Sequence, residues 1–249
     1  MGDEIEIREC VTVEEFAECV RLQSDVFALP AAELSPVRHL VVTKNAGGFA
    51  LGAYDGDHLA GFVLSVPAFL RGEDAFYSHM TGVRPEYQHS GIGARLKWAQ
   101  RTRSLELGVR YIKWTFEPVK ARNAYFNLEK LGAIASEYKP NFYGTDYATT
   151  AGLDRKIGLS SDRLFAEWQL DSPKVTALAE GRSFEESEEP RQTIELMNDW
   201  LSFVESEPET AIAEQQRIRQ EFEVAFERGL VAKGFRRDDN RPEYLLYRT

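Results

Sequence analysis

The segment Gln88-His89-Ser90-Gly91-Ile92-Gly93-Ala94 constrains this chain more than any other, because it joins an apolar run ending at Val83 to a helix-like stretch rich in Arg and Lys. The order is strand, glycine turn, helix. Gly91 and Gly93 remove the side chains that would hold the main chain away from an anion. The first N–H groups of the helix have no partner within it and point outward at the positive end of its dipole. A turn of this kind takes a phosphate group, and its size suits a pyrophosphate.

Spacing narrows which pyrophosphate. A Walker loop ends in Gly-Lys-Ser/Thr, whereas Gly93 is followed by Ala94 and Arg95. A dinucleotide fingerprint has a third glycine and an acidic residue about 20 positions on, and this turn has the form Gln-x-x-Gly-x-Gly. Downstream, Tyr111 to Phe116 is β-branched and aromatic and reads as a strand closed by Pro118. Ala121 to Leu131 then reads as a short helix with Asn123 near its start and Gly132 past its end.

With Gln88-x-x-Gly91-x-Gly93 following strand residue Val83, and Lys130-Leu131-Gly132 closing the later helix, the chain resembles the GNAT N-acetyltransferase superfamily, in particular a larger bacterial subgroup with a C-terminal extension. The resemblance covers roughly residues 5 to 150. It implies an α/β fold with a mixed, mostly antiparallel sheet flanked by helices. It also implies acetyl-CoA or another acyl-CoA as co-substrate, held by Val83, Gln88, His89, Ser90, Gly91, Ile92, Gly93 and Ala94, with Asn123 on the pantetheine amides. The strands around 77–83 and 111–117 would part to admit the pantetheine arm, and an N–H near Val83 would stabilise the oxyanion.

One position departs from the family. Many members carry a Tyr four residues before the final Gly, where it protonates the departing thiolate, and here that residue is Leu128. Tyr125, three residues earlier, is the candidate acid, with packing against the core as its structural alternative. Tyr138, Tyr143 and Tyr147 follow in the next segment. For the base, alternation puts Tyr77, His79 and Thr81 on one strand face, and Glu117 ends the neighbouring strand. His79 has the pKa range to accept an amine proton, and a hydrogen-bonded structural histidine is its alternative. Glu117 reads either as a base at the cleft mouth or as a solvated residue before Pro118. His39 and His58 receive no role.

Along the chain, Ile5 and Ile7 open a short strand, and Thr12-Val-Glu-Glu15 has the form of a capping box before a helix. Pro30 and Pro36 bracket a loop. Phe49–Tyr54 and Leu59–Val66 flank Asp55-Gly56-Asp57 as a hairpin, and a third strand spans roughly 75 to 83. Residues 1–170 read as the acyl-CoA-binding core and 171–249 as an appended module. Within that module, 171–192 reads as connection, Glu195–Glu205 as an amphipathic helix, Ala211–Arg228 as a second helix, and Leu230–Phe235 with Tyr244–Tyr247 as a hairpin. Asp162 and Arg163 read as a structural ion pair or cap. The module packs on the core, shapes the substrate cleft, or makes a homodimer contact.

A net charge of −10 argues against a nucleic-acid surface, where positive charge dominates affinity. Arg95, Lys97, Arg101 and Arg103 read as a solvated helix face from which one or two cations offset the ligand's phosphates. Cys10 and Cys19 have no metal-ligand spacing and read as buried apolar fillers, so no metal site or disulfide is expected. No apolar run approaches the roughly 20 residues of a membrane span, and a cytoplasmic location is the default expectation. The reading that results is acyl transfer from acyl-CoA to an amine of a small metabolite, by direct attack. A CoA-binding regulatory or assembly protein without chemistry is the alternative, and Leu128 is its main argument.

Overall fold

The computed structural model describes residues 5–27, 29–147 and 156–249. The chain forms two compact units, Met1–Lys113 and Trp114–Thr249. Unit one runs β1 (Glu6–Cys10), α1 (Val13–Phe27), α2 (Val37–Asn45), β2 (Phe49–Asp55), β3 (His58–Leu70), β4 (Glu73–Val83) and α3 (Ile92–Glu106), and it takes in the start of β5 (Tyr111–Phe116). β1 to β4 are antiparallel neighbours in chain order, and β4 then pairs in parallel with β5. This is the mixed, mostly antiparallel α/β architecture expected from the sequence.

Local chemistry explains the elements. α1 starts at a closed capping box, in which the Glu15 N–H donates to Thr12 Oγ1 (3.2 Å) while the Thr12 N–H donates back to Glu15 Oε2 (3.0 Å). The β2–β3 hairpin turns through Gly56 at φ +57°, a conformation that costs a glycine little. On one face of the sheet Phe16, Cys19 and Leu22 of α1 and Leu40 of α2 join Phe62 and Leu64 of β3 in a single apolar cluster. Cys10 and Cys19 are buried and free within it, their sulfurs 3.9 Å apart.

The other face carries α3, and there the expected solvated cation row is corrected. Lys97 is buried, and its ammonium group donates to Gln100 Oε1 (2.7 Å) and Ser78 Oγ (3.0 Å), while Gln100 Nε2 donates to Ser65 Oγ (2.8 Å). Burial pushes the Lys97 pKa well below its ordinary value, so this residue does not serve a phosphate at the surface. The network grips β3 and β4 beside an irregularity. Leu64 pairs with Met80 and Ser65 pairs with Ser78, which leaves His79 as the extra residue of a β-bulge.

The bulge also corrects the alternation read from the sequence. Met80 packs on the α1–α2 cluster, and a side chain at Gly82 would meet Leu22 and Phe27 of α1. His79 contacts Ser35 and His39 on that same side. Facing therefore changes parity after His79, and Thr81 does not share the face of Tyr77 and His79.

Unit two takes in the end of β5 and continues with α4 (Ala121–Tyr125), a π-helical turn (Phe126–Lys130), β6 (Ile134–Lys139), β7 (Arg163–Gln169), α5 (Pro173–Ala179), β8 (Gln192–Glu195), α6 (Trp200–Ser206), α7 (Pro208–Glu227), β9 (Leu230–Arg236) and β10 (Glu243–Arg248). Strands β7, β6, β9, β10 and β8 neighbour one another in that order. The Asp162 carboxylate accepts from Tyr138 Oη (2.7 Å) and from Arg219 Nε (3.0 Å) and Nη2 (2.8 Å), tying β6 to α7. Its ion partner is thus Arg219, while Arg163 donates to the Asp162 main-chain oxygen.

Three stretches differ from the sequence reading. Residues 37–45 form α2 directly after the loop bracketed by Pro30 and Pro36. The supposed connection at 171–192 contains α5, with the Val175 N–H capped by Ser172 Oγ and Pro173 in the first turn, where its missing N–H costs nothing. The helix expected over 195–205 is present only from Trp200, as α6 after an Asp199 cap, while Glu195 ends β8 (Gln192–Glu195), which pairs with β10.

Candidate active site

The glycine turn leaves β4 at Val83 and passes through a short 3₁₀ turn, Pro85–Tyr87, into α3. His89 at φ +66° and Gly91 at φ +84° both take the left-handed conformation, which folds the backbone back toward the helix axis. Side chains fasten the turn from behind. Gln88 Nε2 donates to the Val83 carbonyl (3.1 Å), Ser90 Oγ to the Tyr87 carbonyl (2.5 Å), and Tyr87 Oη to Asp55 (2.8 Å).

No side chain caps α3, and its first intrahelical bond runs from the Arg95 N–H to the Gly91 carbonyl (3.1 Å). The amides of Ile92, Gly93 and Ala94 therefore belong to an open helix start. A Cβ at Gly91 would meet nothing within 4 Å, and one at Gly93 only Val83 Cγ2 at 3.9 Å, so open space lies over both glycines. This is an anion cradle built from main chain, and it fits the diphosphate of CoA.

Above the cradle, β4 has a free edge. Its parallel register with β5 covers Ala75–Tyr77 against Tyr111–Lys113, and the Ser78–Val83 stretch has no partner on that side among the described residues. The Arg84 N–H bonds the Ala60 carbonyl of β3 (2.9 Å), so by alternation the Val83 N–H points to the unpartnered edge. An oxyanion donor requires an amide aimed in that way.

His79 stands at the bulge beside this edge. Its Nε2 lies 3.0 Å from Ser35 Oγ, and its ring centroid is 5.8 Å from that of His39 on α2, edge to face. Although the residue reaches solvent, crowding of the ring by its neighbours, followed by the charge of His39, lowers its pKa below the ordinary histidine value. His79 is therefore neutral, and able to take a proton, at physiological pH.

Residues 14–133 match the profile of the Acetyltransferase (GNAT) family. The chain carries a GNAT acetyltransferase domain. Its reaction is acetyl-CoA-dependent acetylation, with an acyl-CoA as co-substrate. Solved structures share the fold at low identity. The ribosomal-protein-S18-alanine N-acetyltransferase from Escherichia coli is 14% identical with a TM-score of 0.53, over 68% of this chain and 96% of that one. YncA from Salmonella typhimurium, solved with acetyl-CoA, is 16% identical with a TM-score of 0.53 over the same shares. An acetyltransferase from Acinetobacter baylyi is 16% identical with a TM-score of 0.54, over 68% of this chain and 95% of that one. Among curated proteins none matches the chain.

The remaining candidates of the acetyltransferase lie in unit two. Glu117 forms an ion pair with Lys120 (2.8 Å) and lines a cavity of about 10 Å³ with Ser161, Asp162, Arg163 and Trp200, room for a single water. Asn123 sits in the first turn of α4, its N–H bonded to the Lys120 carbonyl. After α4 the helix widens, with the Leu131 N–H reaching back to the Phe126 carbonyl (3.0 Å), and Leu128 and Asn127 turn into the core. Leu128 is fully buried, and Asn127 Oδ1 accepts from Trp114 Nε1 (3.2 Å). Tyr125 is half-buried, its ring faced by Arg237 at 4.9 Å and Lys130 at 5.6 Å.

His39 and Ser35 went unassigned in the sequence, being about 40 residues from the strand they adjoin. His39 recurs at helical spacing with Val42 and Thr43, a pattern that identifies a helix face and no chemistry.

Proposed function

We propose that this acetyltransferase acylates the amine of a small metabolite by direct attack on the thioester, with His79 as the general base. The observation that carries the reading is the juxtaposition on β4 of a neutral imidazole at a bulge with a main-chain amide aimed at an unpartnered strand edge. The turn at Gln88–Ala94 binds the diphosphate through its amides. The Val83 N–H holds the carbonyl oxygen as the amine nitrogen bonds to the carbonyl carbon and negative charge develops on that oxygen. His79 accepts the proton that the attacking nitrogen loses, directly or through Ser35 Oγ. Collapse of the adduct breaks the carbon–sulfur bond. CoA is an ordinary thiol whose pKa, of about 8.5 for such groups, lets it leave as thiolate without a dedicated acid, which suits a chain whose family acid position is a buried Leu128.

Release of free thiol from acetyl-CoA, followed against small amines and against peptide N-termini, tests this. Saturable turnover with a small amine and none with peptides is the expected result. Turnover confined to peptide N-termini would overturn the acceptor class. A second reading, a CoA-binding protein without turnover, draws on the buried Leu128, and it is the outcome if acetyl-CoA binds and no amine of either kind reacts.

A further inference from the structure

The loop residue that touches His79 is held in place by a buried side chain. Gln23 of α1 is fully buried, and its amide meets the main chain of Ser35 on both sides. The Ser35 N–H donates to Gln23 Oε1 (2.9 Å), and Gln23 Nε2 donates to the Ser35 carbonyl (3.3 Å). Pro36 follows at once and restricts the Ser35 backbone further. A buried amide that commits both of its polar atoms to one loop residue fixes that residue on the helix. The bulge in β4 and the clamp from α1 thus converge on a single contact, Ser35 Oγ at 3.0 Å from His79 Nε2.

A neutral imidazole has one N–H and one lone pair. Ser35 Oγ has His79 Nε2 as its one hydrogen-bond partner among the described residues. With the hydroxyl donating, Nε2 is the acceptor and the resting proton of the ring is on Nδ1. The lone pair that the reaction needs then lies behind the serine. Ser35 is half-buried, so its oxygen stands between that lone pair and an arriving amine.

Resting on the acyl-transfer reading above, we infer that Ser35 is a catalytic residue, the relay through which the attacking amine loses its proton to His79, and that Gln23 is the positioning residue that holds it there. As the nitrogen bonds to the thioester carbon, an amine N–H breaks and its proton passes to Ser35 Oγ. The Ser35 O–H breaks in turn, and its proton passes to His79 Nε2. Serine ends as it began, the ring holds two protons, and the electron pair of the broken carbon–sulfur bond leaves with CoA. The ring returns its extra proton to solvent after product leaves, so no further reactant is needed. A hydroxyl that donates to Nε2 and turns a lone pair to the amine serves both transfers from one position.

The test compares wild type with Ser35→Ala, Ser35→Thr, Gln23→Met and His79→Ala, singly and in pairs, by thiol release with a small amine and by thermal melts of the full chain. Ser35→Ala lowers kcat by about 10- to 100-fold, short of the full loss of the base because water partly replaces the hydroxyl, with KM for acetyl-CoA and Tm held. Ser35→Thr keeps a hydroxyl and recovers most of the lost kcat. The pair Ser35→Ala with His79→Ala is no slower than His79→Ala alone, since a relay without its base moves no proton. Gln23→Met lowers kcat and Tm together in wild type, and Tm alone once Ser35 is Ala.

An undiminished kcat in Ser35→Ala, beside a large loss in His79→Ala, overturns the relay and leaves acyl transfer standing, with the amine meeting the imidazole directly. Losses that multiply in the Ser35→Ala and His79→Ala pair, or a Ser35→Thr no better than Ser35→Ala, overturn it in favour of packing. Should Gln23→Met fail to fold, the serine variants and their pair with His79→Ala decide. A wild type that binds acetyl-CoA and acetylates nothing overturns both readings.

Discussion

The two faces of β4 hold polar clusters of opposite character, buried toward α3 and partly exposed toward α1 and α2. Toward α3, Lys97, Gln100, Ser65 and Ser78 bond one another in a tight network. Toward α1 and α2, Ser35, His39 and His79 leave one nitrogen with no partner. Residues on one side fix the strand's register, and those on the other keep a vacancy. A satisfied network rigidifies, whereas an unpaired nitrogen adds no bond to its cluster. The bulge at His79 separates the two and depends on the first to hold the second in place.

The sharpest way to break this contrast is to remove a single group from each face. On the α1–α2 side, His79→Ala lowers kcat by about 100-fold or more, the scale of lost general-base catalysis, while calorimetric affinity for acetyl-CoA and Tm are unchanged. Equal activity in the variant would leave the bulge without a chemical role. On the α3 side, Gln100→Leu strands Lys97, Ser65 and Ser78 without their central partner, and urea denaturation should show a loss of about 2–4 kcal/mol.

pH separates the faces by a different route. The neutral form of His79 is the active one, and burial together with His39 lowers its pKa. The acid limb of kcat/KM therefore falls below 6.5, the unperturbed value, and activity is complete by neutral pH. An acid limb above 6.5 would exclude His79 as the base. Lys97 works on stability. Its folded pKa lies well below 10.5, so between those values the unfolded chain holds more protons and stability rises with pH. Chemical denaturation at pH 7 and pH 10 should show a gain in wild type that Lys97→Met lacks. The smallest effect expected is at Tyr125, whose ring is faced by two cations: Tyr125→Phe changes kcat by less than about threefold, against the 100-fold scale of a true acid.

The parts legible in the sequence were those with a local signature. Gly91 and Gly93 announce their turn, Thr12 and Glu15 their cap, and the Asp55-Gly56-Asp57 turn its hairpin, because each device acts within a few residues. The bulge has no such mark. One extra residue in β4 changes the facing of all that follow, yet Ser78-His79-Met80-Thr81 looks the same with or without it. Lys97 reads as surface by residue type, and only the packing of α3 on the sheet shows it buried. The Pro173 and Gly181 that suggested a linker are the start and stop of α5. Proline in a first helical turn and glycine just past a last one look the same in sequence as they do in a loop.

The account stands on the main-chain cradle at Gln88–Ala94, and Gly93→Asp probes it most directly. A side chain fits there, meeting only Val83 Cγ2 at 3.9 Å, and a carboxylate in the first turn of α3 suits the helix dipole. Titration calorimetry with acetyl-CoA should give saturable binding to wild type and none to this variant, at an unchanged Tm. Equal binding by both proteins, or none by wild type, would contradict it.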